Sequence, residues 1–105
     1  MANQMRPIHP GEVLRDELNV LNLSASAFAK ALDVPTNRIT SILNEQRIVT
    51  ADTALRLSRF FGTTAEFWMS LQSSYDVKKT RMAVGKKIDR VVKPNAALID
   101  TLHYV

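Results

Sequence analysis

The stretch from Leu23 to Ile48, LSASAFAKALDVPTNRITSILNEQRI, decides the fold of this chain. Its apolar residues recur at helical spacing in two short blocks, which end at Leu32 and near Asn44. Ser24 is a suitable N-cap for the first block. Between the blocks, Asp33-Val34-Pro35 combines a residue that tolerates a left-handed backbone with a proline that does not continue the preceding helix. The stretch therefore predicts two helices joined by a tight turn.

The second predicted helix has a polar face without acidic residues. No Asp or Glu lies between Val34 and Asn44, and Ile39, Ile42 and Leu43 mark the buried side. Arginine pairs with guanine, Asn or Gln with adenine, and hydroxyl groups hold phosphates. The second helix of a helix-turn-helix enters the major groove of DNA. We therefore predict a DNA-binding helix-turn-helix over residues 24–44. The alternative is an ordinary surface helix that lacks acids.

Individual DNA contacts are predicted from side-chain chemistry and from position along this helix. Asn37 and Arg38, near its N-terminal end, are expected to read bases. The other polar residues on and just after this helix are expected to share the contacts with bases and phosphates. They carry hydroxyl, amide or guanidinium groups and are Thr36, Thr40, Ser41, Asn44 and Arg47.

Three further helices are expected around this motif, so the predicted fold is all-α. Each has an apolar stripe at helical spacing and a recognisable start or stop signal. The first is expected from Gly11 to about Leu21, with Pro10 suited to its first turn, and the next from Thr50 or Asp52 to the stop at Gly62. The last is expected to begin with a Thr-x-x-Glu capping box at Thr63–Glu66.

The two ends of the chain have weaker patterns. Residues 1–9 are expected to be extended and frayed. Beyond Asp76 only a thin apolar stripe remains, Gly85 weakens any helix there, and Pro94 should end it. From Asn95 to Ile99 the pattern leaves open either a short new element or none. We predict a helix-turn-helix domain over residues 1–82 and a basic C-terminal extension over residues 83–105.

The positive charge of the chain is concentrated in its tail. The net charge is +4, but residues 1–76 hold seven basic and eight acidic residues, whereas residues 77–105 hold seven basic and two acidic ones. The high isoelectric point is therefore a poor argument for a DNA-binding face. The tail is either a solvated helix face or a contact for phosphates or an acidic partner.

Composition and spacing argue against several classes of function. The chain has no cysteine, so a disulfide framework and a thiolate zinc site are excluded. Its two histidines, His9 and His103, lie near the termini, and His9 is better suited to a cap or surface position than to general-base catalysis. No glycine-rich phosphate loop or metal-ligand spacing occurs. We expect a soluble cytoplasmic protein, with no membrane span, no cofactor, no metal and no enzymatic activity.

Three further motifs give the chain a family resemblance. They are His9-Pro10-Gly11-Glu12, ADTALRL over Ala51–Leu57 and FWMSLQ over Phe67–Gln72. With these motifs, the segment Leu23–Gly62 resembles the Cro/repressor-type helix-turn-helix family, and the span Arg6–Val77 resembles HigA-type antitoxins, also called virulence-associated protein I. The resemblance implies a five-helix lambda-repressor-like fold, a homodimer on a palindromic operator, autorepression of its operon, and a HigB-type toxin as partner.

Two positions depart from the pattern of these families. Repressors often have Gln at the second position of the first motif helix, where it contacts phosphate, and this chain has Ala25. Ser24 and Ser26 are the residues that could replace this contact. The turn position often held by Gly is Asp33.

The fifth helix carries the predicted dimer interface. One recognition helix reads few bases, so such proteins bind as two-fold dimers. The apolar stripe of the fifth helix is formed by large side chains of the type that interfaces favour, namely Phe67, Trp68, Leu71 and Tyr75. The competing interpretation is that Phe67, Trp68 and Leu71 close the core of the monomer. Tyr75 is the most interface-like of the four.

The sequence thus predicts a sequence-specific transcriptional repressor that is also the antitoxin of a toxin–antitoxin pair. Two alternatives stay open. The chain is either an orphan transcription factor without a toxin, or a toxin-neutralising protein-binding module that binds DNA weakly. The near-neutral first 76 residues and Ala25 support the second alternative.

Overall fold

Five α-helices make up the regular structure of residues 6–96, the part of the chain that the computed structural model describes. They are α1 (Pro10–Leu21), α2 (Ala25–Leu32), α3 (Thr36–Leu43), α4 (Ala51–Phe61) and α5 (Ala65–Val91). The predicted all-α, five-helix fold is confirmed. Within residues 6–96 no helix is long and apolar enough to cross a membrane.

Side-chain caps fix where four of the five helices begin, namely α1, α2, α4 and α5. The Ser24 hydroxyl accepts the Ala27 N–H at the start of α2, as predicted, and Thr50 accepts the Thr53 N–H at the start of α4. The capping box predicted at Thr63–Glu66 is wrong, because α5 is capped one residue later by Thr64. The Thr63 hydroxyl is used elsewhere: it accepts a 2.8 Å hydrogen bond from the indole N–H of Trp68.

The turn between α2 and α3 has the conformation that its residues predict. Asp33 adopts a left-handed backbone, with φ 59°, and so ends α2. Pro35 follows in an extended conformation, with φ −62°, as the N-cap of α3. Gly62 ends α4 in the same left-handed way, with φ 75°, where a side chain would be strained.

The core surrounds α3 and fixes it against α1. Ile39 and Ile42 of α3 are fully buried with Leu14, Phe28 and other apolar residues. Gly11 allows the close approach of α1, since a Cβ atom there would lie 1.9 Å from the backbone oxygen of Ile42. The glycine of the His9–Glu12 motif therefore sets the position of α3 relative to α1.

The segment that precedes α1 is held in place from residue 6 onward. His9 is buried, and its Nδ1 accepts the Gly11 N–H at 2.9 Å. Its ring is nearly perpendicular to that of Tyr75, with the two ring centroids 4.8 Å apart. Arg6 forms an ion pair with Glu12 at 2.6 Å. The prediction of a frayed end is therefore wrong for residues 6–9, and residues 1–5 lie outside the described part. The role of His9 as a cap is confirmed.

Helix α5 extends much farther than its apolar stripe predicts. It continues through Gly85 to Val91 and ends before Pro94, so the predicted domain boundary at residues 82/83 falls inside a helix. The Lys, Arg, Met and Ala residues around Gly85 are good helix formers and outweigh one glycine. From Val77 to Val91, only Lys78 and Gly85 are partly buried within the described chain. The predicted element at Asn95–Ile99 lies almost wholly outside the described residues.

Candidate nucleic-acid interface

The polar face of α3 is open to solvent beside the buried face. Thr36 and Asn37 are exposed at its start, and Asn44 and Arg47 are exposed beyond its end. Arg38, Thr40 and Ser41 are half-buried, and the Thr40 hydroxyl donates a weak 3.4 Å bond to the Asn37 carbonyl. The seven residues predicted on and just after α3 are therefore all at least partly exposed, and the most exposed ones lie at the start of α3 and beyond its end.

The first turn of α3 leaves backbone donors available. Its N-cap, Pro35, makes no side-chain cap hydrogen bond. Helix N-terminal N–H groups carry partial positive charge and bind phosphate or acceptor groups readily. The N–H groups of Thr36 and Asn37 therefore lie beside two exposed polar side chains, an arrangement suited to contact with DNA.

The two serines of α2 lie at its start. The Ser24 oxygen accepts the Ala27 N–H at 3.1 Å, and its own O–H remains able to donate. Ser26 is exposed in the first turn of the helix. Both are therefore accessible for the phosphate contact that Ala25 does not make.

Arg38 is paired with Asp52 of α4, which is not one of the predicted DNA-contact residues. Its Nη1 donates to the Asp52 carboxylate of α4 at 2.5 Å. Arg56 donates to the same carboxylate through Nε, at 2.9 Å to Oδ2, and more weakly through Nη2, at 3.4 Å to Oδ1. Hydrogen bonds from Arg56 and then Arg38 hold the pKa of Asp52 below its ordinary value, and the pKa of Arg56 is raised in return.

Two arginines also bond the backbone at the two ends of α3. Arg56 Nη1 donates to the carbonyl oxygens of Leu32 and Asp33, at 2.8 and 3.2 Å, in the turn that precedes α3. Arg15 of α1 donates to the Leu43 carbonyl at the other end. Sequence spacing reveals Asp52 and Arg56 as an i, i+4 pair. Their contacts with Arg38 and the turn join residues 14 to 24 positions apart and have no short-range signal.

The predicted dimer residues do not share one exposed surface. Trp68 is 2% exposed and belongs to the core, as the alternative interpretation proposed. Leu71 is half-buried against that core, and Tyr75 is half-buried beside His9. Phe67 is 45% exposed, and its ring packs nearly perpendicular to that of Trp68. Phe67 is therefore the member with the most surface available to a second chain.

The described residues contain no group of His, Cys, Asp and Glu that could hold a metal ion. Asp52 is instead shared by two arginines, and His9 caps α1.

Comparison with known proteins places this surface in a known class. A family model described as helix-turn-helix matches residues 14–68, which include α2, the turn and α3. The fold and the matched segment together define a helix-turn-helix protein.

Individual relatives point to one family within the class of helix-turn-helix proteins. The chain is 56% identical over 77 residues to virulence-associated protein I of Dichelobacter nodosus, an alignment that covers 72% of this chain and 71% of the relative. It is similar to an addiction module antidote protein of the HigA family from Coxiella burnetii, with 58% identity, a TM-score of 0.85 and coverage of 87% and 100% of the two chains. It is also similar to the Pseudomonas aeruginosa antitoxin HigA, solved with the higBA promoter, with 48% identity, a TM-score of 0.82 and coverage of 85% and 98%.

The chain belongs to the helix-turn-helix family of HigA-type antitoxins, which includes virulence-associated protein I. This is a family of transcription regulators and antitoxins, not of enzymes.

Proposed function

We propose that the protein is a cytoplasmic antitoxin that binds operator DNA through α3 and represses its own operon. The observation that carries the proposal is the acid-free, partly exposed face of α3 in a chain 48% identical to a HigA antitoxin solved with its promoter. The mechanism is occupancy, because a bound repressor blocks access to the promoter that it covers.

Base reading is assigned to the start of α3. Asn37 is exposed there, and Arg38 has donors that the Asp52 contact leaves free. Thr36, Thr40, Ser41, Asn44 and Arg47 share base and phosphate contacts, and Ser24 and Ser26 hold a phosphate at the start of α2. This division follows the chemistry of the groove, where guanidinium and amide groups read base edges and hydroxyl groups hold the backbone.

The active form is a homodimer on a palindromic operator. Two recognition helices must lie about 34–36 Å apart to reach successive turns of the major groove. The exposed ring of Phe67 supports an interface at the start of α5. Leu71 and Tyr75 form the edge of this interface, and Trp68 supports the interface from the core of the monomer. The toxin partner is of the HigB type, a proposal that rests on relatives named as HigA antitoxins.

The test is binding of the full chain to the DNA upstream of its own gene, against a scrambled duplex, over a salt series. Tight binding to the native fragment alone supports the repressor. Equal, salt-sensitive binding to both duplexes refutes it, because that behaviour is non-specific attraction to phosphates.

Replacement of Arg38 is the matching mutational test. Arg38→Ala is expected to weaken operator binding by about 1–3 kcal/mol, if one guanidinium reads one guanine. Thermal unfolding checks that the variant remains folded. Unchanged operator affinity would refute the role of Arg38.

A further inference from the structure

The side chain of Arg38 is anchored from outside the recognition helix. Its Nη1 is 2.5 Å from an oxygen of Asp52, which stands in the first turn of α4. Within residues 6–96, Nε and Nη2 of Arg38 have no hydrogen-bond partner. The guanidinium is thus fixed at one nitrogen and can donate from the others.

Asp52 is itself fixed by Arg56. The two residues are four positions apart on α4, and Arg56 donates to both carboxylate oxygens. The remaining nitrogen of Arg56 donates to the carbonyls of Leu32 and Asp33 in the helix-turn-helix turn. We call this chain of contacts, from the turn through Arg56 and Asp52 to Arg38, the arginine brace.

We propose that Asp52 is a positioning residue that sets the orientation of Arg38 and thereby the sequence specificity of DNA binding. The inference rests on the proposed function, since it needs a specific operator. An arginine held before binding loses less side-chain freedom when it meets its base. Immobilising one flexible side chain changes affinity by about 2- to 10-fold.

The expected change in operator affinity on loss of Asp52 is opposite in sign to the change that charge repulsion alone predicts. An acidic residue beside DNA repels phosphates, so its removal should strengthen binding to any duplex. Positioning predicts that loss of Asp52 weakens binding to the operator in particular. The direction of the change therefore distinguishes the two effects.

The experiment compares Asp52→Asn with Asp16→Asn in the full chain, on the native upstream duplex and on the scrambled duplex. Asp16 is an exposed acid of α1 with no hydrogen bond or ion pair in the described chain, so its variant matches the change in net charge. We expect operator affinity to fall about 2- to 10-fold in Asp52→Asn, with equal or higher affinity for the scrambled duplex. Asp16→Asn should not show this loss of discrimination.

A double variant separates positioning from a merely structural role. In an Arg38→Ala background, Asp52→Asn should cause no further loss of operator affinity, because the residue that Asp52 orients is gone. An equal loss in both backgrounds overturns the proposal, and so does unchanged or higher operator affinity in Asp52→Asn. Thermal unfolding checks folding, and Asp52→Ser replaces the variant if Asp52→Asn is unfolded.

The same measurements distinguish failure of the proposed function from failure of the role proposed for Asp52. If the wild-type protein does not discriminate between the duplexes, the proposed function and this inference both fail. If it discriminates and Asp52→Asn behaves like Asp16→Asn, only the role of Asp52 is refuted.

Discussion

Replacement of Gly11 by alanine tests how α1 positions the recognition helix. Sequence reasoning alone expects a benefit, because alanine in a helix is more favourable than glycine by about 1 kcal/mol. The structure reverses this expectation. The added Cβ would lie 1.9 Å from the Ile42 carbonyl oxygen and 2.9 Å from its carbon, and both atoms belong to the backbone of α3.

The size of the loss follows from what has to move. A backbone oxygen cannot rotate away as a side chain does, so α1 and α3 must separate. Overpacking of a core typically destabilises by about 1–3 kcal/mol, and a rigid neighbour favours the upper end of that range. When the gain in helix propensity is subtracted from this loss, we expect the free energy of unfolding to fall by about 2 kcal/mol.

Urea unfolding measures the change, and Gly85→Ala is the matched control. At Gly85 the nearest atom to an added Cβ is Cγ of the flexible Arg81 side chain, at 2.9 Å, so this substitution should increase the helix content of α5. Operator affinity should also fall in Gly11→Ala, since the backbone of α3 is displaced. A Gly11→Ala protein at least as stable as the wild type would refute the close packing of α1 on α3.

Two further predictions concern His9 and Phe67. Burial lowers the pKa of His9, so as pH falls below about 6.5 the unfolded state binds a proton first and the free energy of unfolding decreases. His9→Asn keeps a cap that does not titrate and should show a shallower decrease between pH 7 and 5 in urea unfolding, whereas an identical slope would exclude His9 as its source. Phe67→Ser should raise the dimer dissociation constant at least about tenfold in sedimentation equilibrium, because exposed aromatic residues dominate interfaces. If the Phe67→Ser dimer has the same dissociation constant as the wild-type dimer, the interface lies elsewhere.

Local sequence patterns are sufficient to predict the helices and the turn between α2 and α3. Apolar residues at helical spacing, the Ser24 cap and the left-handed Asp33 act over a few residues, so their effects are visible without a tertiary fold. The same local reasoning placed the cap of α5 one residue early, because a buried indole N–H engages the Thr63 hydroxyl. Local reasoning also placed a domain boundary at residues 82/83, inside α5. The apolar stripe weakens there because the helix no longer packs against the core, but the helix itself continues.

The contacts made by the polar face of α3 and by the start of α5 depend on how the helices pack in three dimensions. Whether Trp68 closes the core or meets a partner depends on the position of α4 and α5, and the structure buries it. The Asp52 contact with Arg38 joins residues 14 positions apart on different helices. Local patterns specify backbone conformation, whereas the partner of a long charged side chain is set by the packing of helices that bring distant residues within hydrogen-bond distance.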